Sequence, residues 1–194
     1  TNIAYGMALT EETETVPVFE DGFELADNDF IDDTAKFHSG WELDSGEVYA
    51  YRSGEVDGWT AHSGNQFLEM NGLKEDPGTI STNVATEVDK TYRLRFAYAK
   101  SPNSEESLKV KVFIGTVTTK TITASIEGSG LAWELQDIEF MANSANTRIR
   151  FKSLALEDGP GTNAVMLDSV RLDEVTPTDL YTVFSELENL ARES

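Results

Sequence analysis

The stretch TYRLRFAYA, residues 91–99, has the strongest structural pattern in the chain. Every second residue is large and apolar: Tyr92, Leu94, Phe96 and Tyr98. Arg93 and Arg95 fall between them and share the opposite face. A period of two is that of a β-strand with one buried and one solvated face. The stretch therefore predicts a β-strand with one face in the protein core and the other face in solvent.

The same alternation recurs on both sides of this strand. SLKVKVFIG (107–115) and TRIRFK (147–152) repeat it, and further β-rich segments occupy 47–51, 65–70, 79–85, 116–124, 133–141 and 164–175. Turn sequences such as Asn71-Gly72 separate the segments. Short strands every eight to twelve residues or so are typical of antiparallel sandwiches and barrels. We therefore predict an all-β fold, an antiparallel β-sandwich.

Three segments are predicted along the chain. Residues 1–18 are weakly patterned and read as a lead-in segment or an edge strand, and residues 19–176 as the sandwich domain. Residues 177–194 carry an apolar stripe at helical spacing. We predict a short C-terminal amphipathic helix there, and a monomeric module within a longer chain.

Composition narrows the classes of partner. The 194 residues include 35 acidic and 15 basic side chains, for a net charge of -20. This charge argues against nucleic acid and anionic membrane surfaces as partners, and it suits a secreted or cell-surface location where salt screens it. The chain has no cysteine, which excludes disulfides and thiolate metal sites. No apolar run is long enough to insert in a membrane.

The acidic residues are concentrated in FEDGFELADNDFIDD, residues 19–33. No Lys or Arg lies between Thr1 and Ala35, so local salt bridges cannot neutralise them. A cluster of this density repels itself unless a cation or a basic partner binds it. We predict that the segment forms the first core strand, including Glu24, and one side of a calcium site. The alternative is a solvated acidic loop.

Asp168 is the second carboxylate in this argument. In AVMLDSVRLDEV (164–175) the alternation groups Asp168 with Met166 and Val170, on the side that would face the core. A carboxylate placed there must be paired or bound to a metal. We predict that Glu24, Asp27 and Asp168 bind calcium, whose hard oxygen ligands are plentiful here. The alternative is a hydrogen-bonded Asp168 and a solvent-facing Glu24.

Several loops are candidates for a ligand site. Trp59 and His62 lie in EVDGWTAHSGN (55–65) and would suit stacking on a sugar or a peptide side chain, unless the aromatic ring packs against the sandwich. Other loop residues offer oxygens that could surround a second calcium ion: Asp57, Glu75, Asp76, Asp158, Gly159 and Asn163. The alternative for these loops is a sequence chosen only for turn geometry.

Basic residues follow a pattern of their own. Seven of the 15 lie on the polar faces of three predicted strands: Arg93, Arg95, Lys109, Lys111, Arg148, Arg150 and Lys152. If these strands pair with one another, one outer face is a basic stripe. We interpret it as a solvated sheet face with edge protection.

In order and spacing, these segments resemble the galactose-binding-like jelly rolls, which include bacterial carbohydrate-binding modules. The resemblance covers about residues 19–175 and rests on Phe23-Glu24, Gly40-Trp41, the 68–72 strand and turn, the 90–99 strand and Leu167-Asp168-Ser169-Val170. It implies a jelly-roll sandwich with a structural calcium at Glu24 and Asp168. The acidic loops also resemble ligand-binding modules of large bacterial RTX adhesins. Some of those bind a peptide, and others a sugar, through a loop-borne calcium.

The resulting functional prediction is a calcium-dependent extracellular adhesion module that binds peptide ends through a loop-borne calcium. Its partner would be a peptide or glycan on another cell surface. Peptide is favoured because most strand aromatics share parity with aliphatic residues and are expected to be buried. The alternatives are a lectin-like carbohydrate-binding module on the same fold and a calcium-rigidified structural spacer. No enzymatic activity is predicted, because the chain lacks the nucleophile and zinc motifs of common hydrolases.

Overall fold

The protein is described by a computed structural model that covers residues 13–25, 29–31, 40–71, 77–102, 104, 107–154 and 164–177. Twelve strands make up this part of the chain. In chain order they are β1 (Thr13–Asp21), β2 (Asp29–Ile31), β3 (Trp41–Ser45), β4 (Val48–Arg52), β5 (Gln66–Glu69), β6 (Thr79–Ala85), β7 (Thr91–Lys100), β8 (Leu108–Ile114), β9 (Thr118–Ala124), β10 (Glu134–Met141), β11 (Asn146–Ser153) and β12 (Val165–Pro177).

The strands form two antiparallel sheets. The larger sheet has the order β10-β7-β12-β5-β4-β2, and β1 pairs with β12. The smaller sheet has the order β3-β6-β11-β8-β9. The predicted all-β, antiparallel jelly-roll sandwich is confirmed.

The main core lies between the two sheets. In β7 the four predicted core residues alternate inward, and in β8 Leu108, Val110, Val112 and Ile114 meet them from the smaller sheet. Trp41 packs at one end of this core, with its ring centroid 5.5 Å from that of Phe23 and 6.0 Å from that of Phe151. Each sheet therefore has one face in the core and one outer face.

The first strand differs from its prediction. β1 begins at Thr13, so residues assigned to a lead-in are hydrogen-bonded to β12, and it ends at Asp21, before Glu24. Phe23 has φ 58°, and its amide donates to Asp21 Oδ1 at 2.6 Å. The expectation that Glu24 belongs to this strand is wrong, because the chain turns sharply at Gly22 and Phe23 and leaves the sheet.

Asp168 does not face the main core, contrary to the sequence prediction. Leu167 points into that core, so Asp168 lies on the outer face of the larger sheet. The pairing of β12 with β7 shifts register between Asp168 and Arg171, and Ser169 has φ 52°. This β-bulge reverses the parity, so Val170 and Leu172 return to the core.

The predicted basic stripe is also divided. β7 belongs to the larger sheet, whereas β8 and β11 are neighbours in the smaller one. Arg93 and Arg95 therefore lie on a different face from the other five cations. Of the C-terminal helix predicted for 177–194, Pro177 is the last residue of β12, and the remainder lies outside the described residues.

Candidate functional site

A row of aromatic rings crosses the outer face of the larger sheet. Its members, here called the aromatic row, are Tyr49, Tyr51, Phe67, Trp133 and His62. Successive ring centroids are 4.5 Å apart for Tyr49 and Tyr51, 5.8 Å for Tyr51 and Phe67, 5.8 Å for Phe67 and Trp133, and 6.1 Å for Trp133 and His62. These separations are those of aromatic rings in contact. The row is therefore one continuous set of contacting rings.

Four of the five rings reach the surface, and buried rings support them from below. Tyr49, Tyr51 and Trp133 are half-buried and His62 is exposed, whereas Phe67 is fully buried. Trp59 is 6% exposed and meets the Tyr51 ring edge-on at 5.2 Å. The open rings are thus braced by buried ones, so little conformational freedom is left for a ligand to remove.

Polar groups adjoin the tyrosines. Glu69 faces Tyr49 in the β4–β5 register, and its side chain is buried, with Oε1 accepting the Asn71 amide at 3.0 Å. Burial, and then the charge of Glu69, raises the pKa of Tyr51 to about 12. Tyr51 therefore keeps its phenolic proton at neutral pH. The Tyr49 hydroxyl donates to Glu55 Oε1 at 3.4 Å.

One loop covers part of the outer face. This covering loop, residues 53–65, carries Trp59 and His62. Its backbone packs closely on the 128–131 segment, where the Leu131 amide donates to the Gly58 carbonyl at 3.2 Å. Trp133 Nε1 donates to the Thr60 carbonyl at 2.8 Å. The covering loop therefore positions the Trp133 end of the aromatic row.

Asp168 holds the covering loop from below. Its Oδ2 accepts the His62 amide at 2.8 Å and the Ser63 amide at 3.0 Å, and its Oδ1 accepts the Ser169 amide at 2.5 Å. Burial raises the pKa of the Asp168 carboxyl to about 6, although these amides act to lower it. The His62 ring also contacts Ser169, with Nδ1 and Oγ 2.9 Å apart.

Glu24 holds the end of the same loop. Its Oε1 accepts the Asn65 amide at 2.7 Å and the Gln66 amide at 2.9 Å. Gly64 has φ +64°, and a Cβ there would lie 2.1 Å from Glu24 Oε1, so only glycine leaves space for this carboxylate. Gly22 lies beside both acids, with its hypothetical Cβ 3.8 Å from Asp168 Oδ1 and 3.9 Å from Glu24 Cγ. Carboxylates from opposite ends of the domain therefore converge on one loop.

These residues fit a calcium ion only in part. Calcium takes roughly six to eight oxygen ligands. Two carboxylates converge here, and the described residues contain no group of three or more acidic or histidine side chains that could hold a metal ion. Backbone carbonyls and water would have to supply the other ligands. The calcium site at Glu24 and Asp168 stays a prediction.

The structure describes some of the other predicted site residues and not the rest. Trp59 and His62 join Glu24 and Asp168 around the covering loop, with Trp59 buried against the sheet and His62 exposed. Asp57 is exposed on the same loop. The remaining predicted residues lie outside the described ranges: Asp27, Glu75, Asp76, Asp158, Gly159 and Asn163.

Sequence reasoning missed Tyr49, Tyr51 and Trp133. The expectation that strand aromatics are buried with the aliphatic residues is wrong for β4, where Val48 and Ala50 enter the core and the tyrosines point outward. The signal was present in VYAYR (48–52), in which aromatic and aliphatic residues have opposite parity. Trp133 carried no such signal, because its position depends on the covering loop.

An ion-pair network occupies the other end of this outer face. Asp173 is fully buried and accepts hydrogen bonds from Arg95 and, at 2.7 Å, from Arg171 Nε. Arg93 pairs with Glu139 across the β7–β10 register. Ion pairs therefore join the charged side chains at this end to one another, namely Arg93, Arg95, Arg171, Glu139 and Asp173.

Two antiparallel sheets with an aromatic row on one outer face define the class, a jelly-roll β-sandwich module. The chain belongs to the DUF642 family, described as a protein of unknown function, whose model matches residues 19–173. No curated protein sequence matches the chain.

Two solved structures illustrate the fold similarity. A cyclase from Fischerella sp. TAU is 13% identical, with 87% of this chain and 100% of that chain covered and a TM-score of 0.57. The CBM22-1 xylan-binding domain of Paenibacillus barcinonensis Xyn10C is 15% identical, with 88% and 100% covered and a TM-score of 0.50. The resemblance to carbohydrate-binding modules is thus supported at the level of fold, and neither of these two structures points to an RTX adhesin.

Enzymatic activity and location are not decided by these similarities. Because the similar structures include both a cyclase and a xylan-binding domain, the absence of enzymatic activity stays a prediction. The secreted or cell-surface location also stays a prediction. No helix within the described residues is long and apolar enough to cross a membrane.

Proposed function

We propose that this chain is a carbohydrate-binding module that binds a polysaccharide along the aromatic row. The observation that carries the proposal is the set of three half-exposed rings, Tyr49, Tyr51 and Trp133, held on the outer face by buried Phe67 and Trp59. An open aromatic surface of this kind buries the apolar faces of sugar rings.

The adjoining polar groups support a sugar rather than a purely apolar ligand. The phenolic hydroxyl of Tyr51 is protonated at neutral pH, and the exposed Glu55 carboxylate accepts the Tyr49 hydroxyl. Hydroxyls and carboxylates of this type fix the orientation of a ligand through hydrogen bonds. Sugar hydroxyl groups provide the matching donors and acceptors.

The proposed ligand class, a polysaccharide, follows a protein of similar fold, whereas the proposed binding site follows from the residues of this chain. The CBM22-1 module of similar fold is a xylan-binding domain. Its 15% identity establishes a common fold, so the binding residues are argued here only from the aromatic row.

Calcium-dependent binding of peptide ends is the second candidate. It depends on Asp158, Gly159 and Asn163, which lie outside the described residues, so it keeps only the support of the sequence. Within the described part, Glu24 and Asp168 would hold calcium beneath the covering loop. In that position the ion would stabilise the loop and leave the aromatic row available to a sugar.

Binding to neutral oligosaccharides tests the proposal. Xylan, galactan and cellulose oligosaccharides are titrated calorimetrically into the wild type and the Tyr51→Ala and Trp133→Ala variants. Loss of one stacking ring is expected to weaken binding about tenfold, given that an aromatic contact contributes roughly 1.5 kcal/mol. Met141→Ala is the control, since Met141 is an exposed apolar residue at the end of β10 away from the aromatic row.

Two outcomes would overturn the proposal. Equal binding by the wild type, Tyr51→Ala and Trp133→Ala would place the sugar elsewhere on the module. If no oligosaccharide binds, and C-terminal peptides bind in a way that EDTA abolishes, the calcium-dependent peptide module is favoured. Failure of both ligand classes would favour the structural spacer.

A further inference from the structure

The outer face of the smaller sheet carries a group of basic side chains that the proposed sugar site does not use. This cationic patch consists of Lys109 and Lys111 on β8 and Arg150 and Lys152 on β11. It lies on the opposite side of the sandwich from the aromatic row, because β8 and β11 belong to the other sheet.

Edge protection does not explain the patch. Basic residues protect sheet edges by discouraging further strand pairing. Here β11 lies between β6 and β8, and β8 lies between β11 and β9, so both strands are internal. The edge-protection part of the sequence interpretation is therefore wrong, whereas the solvated sheet face agrees with the exposure of Lys109 and Lys152.

The patch cations lack acidic ion-pair partners in the part of the chain that the structure describes. Within the described residues, none of the four patch cations forms a salt bridge, although the sequence has 35 acidic residues. Arg148, one alternation further along β11, does pair with Asp44, at 2.7 Å. Among the described residues of this face, an acidic side chain thus pairs with Arg148 but with none of the four patch cations.

The arrangement carries an internal electrostatic cost. Lys111 and Lys152 are directly opposite each other in the β8–β11 register. Like charges at opposed positions of neighbouring strands are destabilising. A bound anion would convert this repulsion into attraction.

Phe113 holds part of the patch in place. Arg150 Cζ lies 4.0 Å from the Phe113 ring centroid, and Lys111 Nζ lies 5.2 Å from it. A cation stacked on an aromatic ring has restricted mobility, so Arg150 loses less conformational freedom when it binds an anionic group.

The spacing and the surroundings favour a repeating, hydroxylated ligand. Side chains two residues apart on a strand are about 7 Å apart, and neighbouring strands about 4.8 Å, so the patch presents positive charge at regular intervals. Exposed threonines of β9 border it at Thr119, Thr121 and Thr123. Their hydroxyls can exchange hydrogen bonds with sugar hydroxyls.

We propose that the cationic patch binds an acidic polysaccharide through its sulfate or carboxylate groups. The net charge of -20 opposes every polyanion, nucleic acid included, so the attraction must come from the local positive charge of the patch. The inference is independent of the sugar site on the aromatic row.

Binding to charged and uncharged dextrans of one length tests this inference. Short dextran sulfate, carboxymethyl dextran and unmodified dextran are titrated at physiological salt into the wild type and into Lys111→Gln/Lys152→Gln. The wild type is expected to bind a charged dextran more tightly than the unmodified one. The double variant is expected to bind it about thirtyfold more weakly, because it loses two cations at roughly 1 kcal/mol each near an anionic surface.

Two controls separate the patch from general charge effects. Lys90→Gln/Arg93→Gln removes the same charge from elsewhere and should bind within twofold of the wild type, with unfolding temperatures confirming that both variants fold. Tyr51→Ala should bind charged dextran normally, which keeps this test separate from the sugar site. Equal losses in both double variants, no binding of either charged dextran, or tighter binding of a single-stranded oligonucleotide would overturn the inference.

Discussion

His62 and Asp168 lie 106 positions apart in the sequence, yet the His62 amide donates a 2.8 Å hydrogen bond to Asp168 Oδ2. This bond joins the covering loop to the bulge in β12. Ser63 and Ser169 donate to the same carboxylate, so three backbone amides depend on one side chain. Glu24 supplies the second anchor of the loop, through the amides of Asn65 and Gln66.

Removing the Asp168 carboxylate should destabilise the domain. Asp168→Ala leaves the His62 and Ser63 amides without their acceptor, and we expect a loss of about 2–3 kcal/mol in the free energy of unfolding. Urea unfolding in EDTA measures it. Asp57→Ala, at an exposed position of the same loop, should change stability by no more than about 0.5 kcal/mol. Similar losses in the two variants would contradict the anchoring role.

Calcium should stabilise the wild type through Glu24 and Asp168. A ligand that binds only the folded state at about 100 times its Kd adds roughly 2.7 kcal/mol. We expect a higher unfolding temperature in calcium than in EDTA for the wild type, and no difference for Asp168→Asn. Asp137→Asn, an exposed position on β10, should respond like the wild type. An unresponsive wild type would mean that backbone amides alone satisfy the two carboxylates.

Gly64 should be far less tolerant of a side chain than Gly54. Both have positive φ, +64° and +82°, but a Cβ at Gly64 would lie 2.1 Å from Glu24 Oε1, whereas nothing lies within 4 Å at Gly54. We expect Gly54→Ala to cost about 1 kcal/mol for the backbone conformation alone. Gly64→Ala should cost at least twice that, since Glu24 must also move. Equal unfolding midpoints for the two variants would show that the Glu24 contact contributes little.

Asp173 should give the domain an acid-sensitive contribution to stability. Burial acts to raise the pKa of Asp173, but hydrogen bonds from Arg95 and Arg171 outweigh it and hold that pKa below the ordinary value of 3.8. Because the folded-state pKa is lowered, the contribution is present above the unfolded pKa and is lost as the pH falls through the folded pKa.

The Asp173→Asn variant tests this dependence. At pH 7 we expect the variant to be less stable than the wild type by about 2 kcal/mol. This loss is smaller than for a fully buried ion pair, because solvent screens the partly exposed arginine partners. Urea unfolding from pH 7 to pH 3 should show the gap between wild type and variant narrowing on the acid side. A gap that stays constant with pH would indicate a packing defect instead.

The strands and the class of fold could be predicted from the amino-acid sequence. Alternation in 91–99 and 107–115 required one buried and one solvated face, and a two-sheet sandwich buries several such strands at once. Tyr49 and Tyr51 alternate with the aliphatic residues Val48 and Ala50, and this alternation also indicates an outward-facing pair of aromatic rings.

Which faces and loops meet depended on the tertiary structure. Alternation gives each strand two faces but does not name its neighbour, so the separation of Arg93 from Lys111 onto different sheets had to come from strand pairing. A single bulge at Ser169 reversed the parity of β12 and moved Asp168 from the core to the covering loop. Such long-range pairing depends on the packing of the whole domain, and a local pattern of residues cannot specify it.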